Sequence, residues 1–413
     1  GDRLWPDAIG RFLGFELQWQ NSVGRLRKED IMKIFWSGLT IATLGTIASV
    51  VSQPGLTQVL QPTTTPGAIA LPDYGLWQNQ ERQKLLNAID HSLRYIDTNT
   101  AQADYAAVQV PGFSREKVRR SLVRFRQLVQ QYPDPRQLHQ AIQREFIFYR
   151  SVGKDGTGQV DFTAYFEPAY VASPVKTNEF QYPLYRQPPG FKTWSQPHPR
   201  RVALEGRDGI PPSDSPLRGH ELVWLKSRLE AYLIQVQGSA RLQLTNGRTM
   251  TIGFDGSTDY EYVSLGKELI NEGIFQPEEL SLPKLIDYFE ANPTELSNYI
   301  PRNNRFIFFR ETFGSPPIGS IGVPVLAERS IATDKSIFPP GAIAFIATQL
   351  PYQRANGDWL KLPVSRYVLD QDTGSAIKGA GRVDIFLGTG PNTQTRAGLV
   401  NDPGNLYYLL LKD

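Results

Sequence analysis

From Gln80 to Ile96 the apolar residues Leu85, Ile89, Leu93 and Ile96 recur at helical spacing, which predicts an amphipathic helix with one face in a core. Two more helices follow by the same rule. Ser114 stands in an N-cap position ahead of Val118, Leu122, Phe125 and Val129. Asp134-Pro135 places a capping carboxylate before a proline at the first helical position and opens a stripe of Leu138, Ile142 and Phe146. These stripes are core faces and carry no chemistry.

From about Ile147 the pattern shortens to strands and turns. Val160 to Pro168 predicts a strand ending in Glu167-Pro168. Tyr232 to Ser239 predicts another, with Gln235 and Gln237 on one face and Ile234 and Val236 on the other. Arg241–Leu244 and Arg248–Ile252, joined through Thr245-Asn246-Gly247, predict a hairpin. Gly153 to Gly158 lacks the residue order of a phosphate loop and reads as a hairpin turn. Helices are expected over Tyr262–Gly273 and Gln276–Asn292. Further strands are expected at Phe306–Phe309, Val325–Ala327, Ala342–Ala347, Arg366–Asp370, Arg382–Phe386 and Leu406–Leu411.

Composition narrows the chemistry. A chain of 413 residues suggests two domains plus extras, and 40% hydrophobic with 21% charged residues is ordinary globular composition. The 31 prolines and 35 glycines imply many turns and a β-rich protein. A net charge of +3 gives no footprint for a nucleic-acid partner. There is no cysteine, which excludes disulfides, thiolate metal sites, a thiol nucleophile and a Cys-linked lipid anchor. The histidines (His91, His139, His198, His220) stand far apart without a His-x-x-x-His pair, so no metal and no cofactor is expected. Catalysis, if present, falls to carboxylates.

At the N-terminus, residues 1–31 read as an upstream extension with no role in the fold. Lys33 then leads into the uncharged run Ile34–Val51, so residues 32–52 read as a signal peptide or an uncleaved membrane anchor of an exported protein. Residues 53–72 read as a linker.

The stretch Asp370 to Gly390 concentrates carboxylates (Asp370, Asp372, Asp384), cations (Lys378, Arg382) and glycines. Asp384 lies between Val383 and Ile385, so its side chain points to the opposite face, shared with Arg382 and Phe386. A carboxylate beside a ring and near a second carboxylate can keep its proton and act as an acid. Two other readings fail for want of company. Asp372-Thr-Gly-Ser375 copies one aspartic-protease loop, but the second copy is missing. Asp370-Gln-Asp372 fits the Asp-x-Asp of metal-dependent sugar transfer, without a nucleotide-binding βαβ pattern around it.

Four motifs in fixed order carry a resemblance: Phe162-Thr-Ala-Tyr-Phe-Glu-Pro168, Gln235-Val-Gln-Gly-Ser239, Arg329 to Gly341, and Asp372-Thr-Gly-Ser-Ala-Ile-Lys-Gly with Arg382-Val-Asp384. Together they resemble the membrane-bound lytic transglycosylase A family, including its C-terminal three-aspartate (3D) module, over about Asp161 to Asp413. The resemblance implies a mainly β (α+β overall) protein: a double-psi β-barrel domain with an inserted second β-barrel domain, preceded by N-terminal helices. Residues 73–169 would hold the helices and the first part of the barrel, 170–310 the insert, and 322–413 the 3D domain that completes the barrel. The implied reaction cleaves the β-1,4 bond between N-acetylmuramic acid and N-acetylglucosamine in peptidoglycan and leaves 1,6-anhydromuramoyl ends.

By the same resemblance Asp384 matches the catalytic acid/base and Asp372 a neighbouring carboxylate that shapes the site. Thr163, Tyr165, Gln237, Ser239, Lys378 and Asp334 fall in groove-lining motifs and are expected to bind substrate. Peptidoglycan glycan strands are the expected partner and the periplasm or cell envelope the expected location. A membrane contact through the N-terminal apolar segment fits this picture, and cell-wall synthesis or division proteins are compatible partners without residue-level support. Well-known family members are lipoproteins, and the absence of cysteine departs from that. A glycan hydrolase using Asp384 and Asp372 as acid and base, and a non-catalytic wall-binding scaffold, remain as alternatives.

Overall fold

The computed structural model describes residues 58–63 and 71–413, Pro391 apart. The expected extension at 1–31 and the signal or anchor at 32–52 lie outside the described residues. The described residues open with β1 (Leu60–Pro62) and a helical layer of α1 (Asn79–Ile96), α2 (Asn99–Ala107), α3 (Arg115–Gln131) and α4 (Pro135–Glu145). The caps are local. Ser114 Oγ accepts the Lys117 N–H, and Asp134 Oδ1 accepts the N–H groups of Arg136 and Gln137 at 2.7 and 3.1 Å. Leu85, Ile89, Val118, Leu122, Phe125, Val129, Leu138 and Ile142 are all buried in one core with the barrel strands. Phe125 meets Tyr367 edge-on at 5.2 Å, one contact of this helix–barrel seam.

Strands β2 (Phe146–Ser151) and β3 (Val160–Glu167) come next, and after them the chain leaves the barrel. The insert holds β4 (Ala169–Ser173), β5 (Tyr182–Tyr185), α5 (Arg201–Glu205), β6 (Glu221–Leu225) and α6 (Arg228–Gln237). It continues with β7 (Ser239–Leu244), β8 (Thr249–Ser257), α7 (Leu265–Asn271), α8 (Leu282–Ala291), α9 (Leu296–Tyr299) and β9 (Ile307–Glu311). Back in the barrel come β10 (Ser330–Ala332), β11 (Ile343–Gln353), β12 (Trp359–Asp372), β13 (Arg382–Thr389), α10 (Thr393–Gly398) and β14 (Asp402–Leu411).

One sheet has the order β1-β2-β14-β11-β12-β10-β13-β3, and β3 also pairs with β14. That extra pairing closes β14, β11, β12, β10, β13 and β3 into a six-stranded ring, which removes its open edges. Within the ring, β10–β12 and β13–β3 are parallel and the other pairings antiparallel. The insert forms a separate six-stranded sheet in the order β5-β6-β4-β7-β8-β9 with its own core around Val223, Ile234, Leu242 and Phe309.

Four sequence expectations are corrected here. Tyr232–Gln237 is the end of helix α6, not a strand. Ser227 and Glu230 form a capping box at its start, and Gly238, in the left-handed region at φ 78°, stops it before Ser239 opens β7. Gly153–Gly158 is a turn but not a hairpin turn, because β2 and β3 do not pair with each other; both lie along β14. The helix expected from Gln276 begins only at Leu282, where Ser281 caps it and Pro283 fits its first turn. Val325–Ala327 forms no strand.

A buried ionic cluster ties the entry segment to the barrel. Asp73, with no exposed surface, accepts from Arg329 Nη1 at 2.5 Å and from the Tyr367 N–H at 3.0 Å. Arg366 reaches Asp73 on one side and Glu328 on the other, and Arg396 closes on Glu328 at 2.7 Å. Burial alone would raise the Glu328 carboxyl, but Arg366 and Arg396 overrule it and hold the group down to about 2.

Candidate active site

Three adjacent ring strands, β12, β10 and β13, assemble the site. Ala332 on β10 pairs with Asp372 on one side and with Asp384 on the other. Residues in register share a sheet face, so both carboxylates stand on one face with only the Ala332 methyl between them. With strands about 4.8 Å apart, the two Cα positions lie about 9–10 Å from each other. Between them lies the gap over Ala332.

A bulge decides which aspartates face this gap. The β10–β12 register slips between Ile331, opposite Asp370, and Ala332, opposite Asp372. Gln371 is the extra residue, so Asp370 and Asp372, which strict alternation would put on one face, are separated. Asp370 turns into the interior with no exposed surface, while Asp372 keeps a partly exposed edge.

Among the described residues Asp384 accepts one hydrogen bond, from the Thr163 hydroxyl to Oδ1 at 2.6 Å. Thr163 is its register partner on the parallel strand β3. Burial raises the Asp384 carboxyl above the ordinary value, Thr163 and Arg382 oppose this, and the charge of Asp372 adds to it. Asp372 is held by more donors. Oδ2 accepts from the Tyr165 hydroxyl at 2.7 Å, and Oδ1 from the N–H groups of Ser320 at 2.9 Å and Thr373 at 2.8 Å. Burial also raises Asp372, against these donors and the nearby Lys335 cation. Tyr165 reaches from β3 past β13 and β10 to β12, which requires these strands to curl around the pair. Its ring rests against Phe386 at 5.1 Å.

Beneath the pair lies a charged support that sequence reasoning missed. Asp370 receives Lys335 Nζ at 2.5 Å on Oδ1, and the hydroxyls of Thr333 and Tyr408 at 2.8 and 2.7 Å on Oδ2. Lys335 Nζ also donates to the main-chain oxygen of Asp372, and the Thr333 N–H donates to that oxygen at 3.1 Å. The buried ion pair therefore pins the backbone from which the Asp372 carboxylate projects. No group of three or more His, Asp or Glu that could hold a metal ion occurs among the described residues.

This geometry can be set beside known proteins. A family model described as the MltA specific insert domain matches residues 161–310, and a 3D domain model matches residues 329–410. The membrane-bound lytic murein transglycosylase A of Escherichia coli K12 is 30% identical over 262 residues, covering 62% of this chain and 67% of the relative. Its counterpart in Vibrio cholerae is 30% identical over 263 residues, covering 63% and 68%. The chain belongs to the membrane-bound lytic murein transglycosylase A family. Solved family structures agree in fold. E. coli MltA with bound chitohexaose superposes with a TM-score of 0.64 at 25% identity, covering 86% of this chain and 96% of that one. The Agrobacterium tumefaciens membrane-bound lytic murein transglycosylase gives 0.62 at 25% identity, covering 82% and 95%.

The other expected site residues of this family member divide into two groups. Gln237, the last residue of α6, accepts the Phe166 N–H at 3.0 Å and so ties the insert to β3 beside Thr163 and Tyr165. Ser239 opens β7 next to it and keeps a partly exposed side chain. Lys378 is exposed on the turn between β12 and β13. Gln235 does not share a face with Gln237, because the helix turns it inward to Arg201 at 2.8 Å.

Asp334 departs from the substrate-binding expectation. It is 7% exposed, Oδ1 is taken by the Ser336 N–H and hydroxyl, and Oδ2 by the Gly379 N–H at 2.8 Å. Burial pushes its carboxyl up, but these bonds win and hold it below the ordinary value. It fastens the 373–381 turn instead of reaching outward.

Proposed function

We propose that this chain is a murein lytic transglycosylase, cleaving the bond between N-acetylmuramic acid and N-acetylglucosamine with formation of a 1,6-anhydromuramoyl end. The observation that carries the reading is the unequal dressing of the two carboxylates. Asp372 accepts three donors and Asp384 one. Two like charges in one site share a proton, and the proton settles on the group with less help for its charge. Asp384 is the acid. Thr163 occupies Oδ1, so Oδ2 carries the proton toward the gap over Ala332.

Asp384 gives its proton to the bridging oxygen as positive charge develops on the sugar ring. The ionised Asp372, fixed across the gap, and the substrate's own 2-acetamido group stabilise that charge. The Asp384 carboxylate then takes the proton of the C6 hydroxyl, which attacks C1 within the same sugar. Intramolecular attack avoids the entropy of bringing in a water, so no second carboxylate base is needed. Gln237, Ser239 and Lys378 are read as binding sugar hydroxyls and amides.

The ring with its two parallel pairings is read as a double-psi barrel, residues 170–310 as its inserted domain and 322–413 as the completing segment. Family membership supports an exported, cell-envelope protein with glycan strands as its partner, and residues 32–52 as its signal or anchor. Digestion of purified sacculi followed by muropeptide mass analysis tests the reaction. Products one water lighter than reducing ends are expected, and reducing ends overturn it in favour of two-aspartate hydrolysis. Asp384→Asn is expected to stop product release by about 10²-fold or more while binding and folding persist.

A further inference from the structure

Two residues before Asp384, on the same strand and the same face, stands Arg382. Among the described residues no carboxylate lies within ion-pairing distance of its guanidinium, and its Nε is buried without a hydrogen-bond partner. The carboxylate at its register position on β3, Asp161, is already held by Lys154 at 2.8 Å. Asp384 itself accepts from Thr163 and forms no ion pair with Arg382.

The other arginines that support the site's fold each have a carboxylate partner, although Arg329 also buries a nitrogen without a hydrogen bond. Arg329 and Arg366 are engaged by Asp73, and Arg366 and Arg396 by Glu328. A guanidinium without a carboxylate partner, two residues along the strand from the acid, keeps a planar fork suited to a carboxylate. The strand direction places it about 7 Å from the Asp384 Cα, the reach of one substituent on a sugar bound at the acid.

We propose that Arg382 is the docking point for a carboxylate carried by the muramoyl substituent of the glycan strand, so that the enzyme selects anionic strands over neutral ones. The inference rests on the transglycosylase reading of the site. The carboxylate has two chemical sources: the stem peptide, or the lactyl group exposed when the peptide has been removed. Either would sit beside Asp384 only when a muramoyl residue occupies the position next to the scissile bond.

The test compares native peptide-bearing strands, strands stripped of peptide by an amidase, and native strands whose carboxyls have been converted to amides. For the wild type, amidation is expected to lower kcat/KM about tenfold or more, the worth of one charge-assisted hydrogen bond. In Arg382→Gln that ratio is expected to collapse toward one, and Arg382→Lys to retain part of it. A purely electrostatic effect of Arg382 on Asp384 would slow every substrate alike and leave the ratio intact. That result overturns the proposal, as does a wild type indifferent to amidation.

Should Arg382→Gln fold poorly, binding of native against amidated strands to Asp384→Asn reads the same preference, and its absence there is equally decisive. Arg382 dependence on stripped strands assigns the lactyl carboxylate, and dependence on peptide-bearing strands alone assigns the stem; both uphold the site. If the wild type releases no anhydro product from native strands, the transglycosylase reading falls, and this inference with it.

Discussion

Thr163→Val removes one hydroxyl and keeps the side-chain shape. The lost contact is the 2.6 Å hydrogen bond that the Asp384 carboxyl accepts from this residue. A hydrogen bond to the charged form favours that form, so without it Asp384 moves further in the direction burial already pushes it. The acid then keeps its proton to higher pH, and the alkaline limb of the kcat/KM profile shifts upward. The maximal rate falls at the same time. Hydrogen bonds to charged groups contribute about 1.5–3 kcal/mol. With the proton about half transferred in the transition state, about half of that is lost, which is a fall in kcat of about 4- to 13-fold. The assay is release of anhydromuropeptides from sacculi, measured by chromatography and mass across a pH series. A limb that stays in place, or moves toward acid, with kcat unchanged would refute the assignment of Thr163 to the Asp384 carboxylate.

Two further perturbations separate support from chemistry. Lys335→Met strands Asp370 in the interior and is expected to destabilise the protein by about 3 kcal/mol in urea unfolding, with part recovered when Asp370→Asn is added. Strict additivity of the two changes would show that the pair is not coupled. Glu328→Gln tests the sign of a buried charge. Its folded value of about 2 lies below the unfolded value near 4.5, so its contribution is present above the unfolded value and lost as pH falls through 2. The variant should be less stable than wild type at neutral pH, with the gap closing between about pH 4.5 and 2. A gap that persists unchanged to pH 2 contradicts this.

The strand around Asp384 is readable because its alternation is local: Val383 and Ile385 are fully buried, while Asp384 stays partly exposed on the other face. The helical stripes and their caps at Ser114 and Asp134 were readable for the same reason. The helix that ends at Gln237 does carry a local signal, since Ser227-x-x-Glu230 followed by Gly238 spells a helix start and stop. Other features had no local signature. The bulge at Gln371 exists only relative to β10, about forty residues earlier in the chain, and it alone sends Asp370 inward and Asp372 outward. Lys335 looks like any turn lysine until the fold brings it to Asp370. Tyr165 reads as a core aromatic until its hydroxyl is seen on Asp372, 207 residues away.

The closed ring also bears on when the protein can act. Thr163 and Asp384 meet across 221 residues of chain, and the ring that holds them is completed by β14, the last of the described strands. Contacts of such sequence separation form late, because loop closure must precede the pairing that rewards it. A chain emerging N-terminus first presents β3 long before β13 exists, and the whole insert must emerge and fold in between. No nascent or C-terminally truncated form short of β13 carries both Thr163 and Asp384. The topology thus works as a timer: an intermediate of synthesis that stops before β13 has the Thr163 half of the site without its acid.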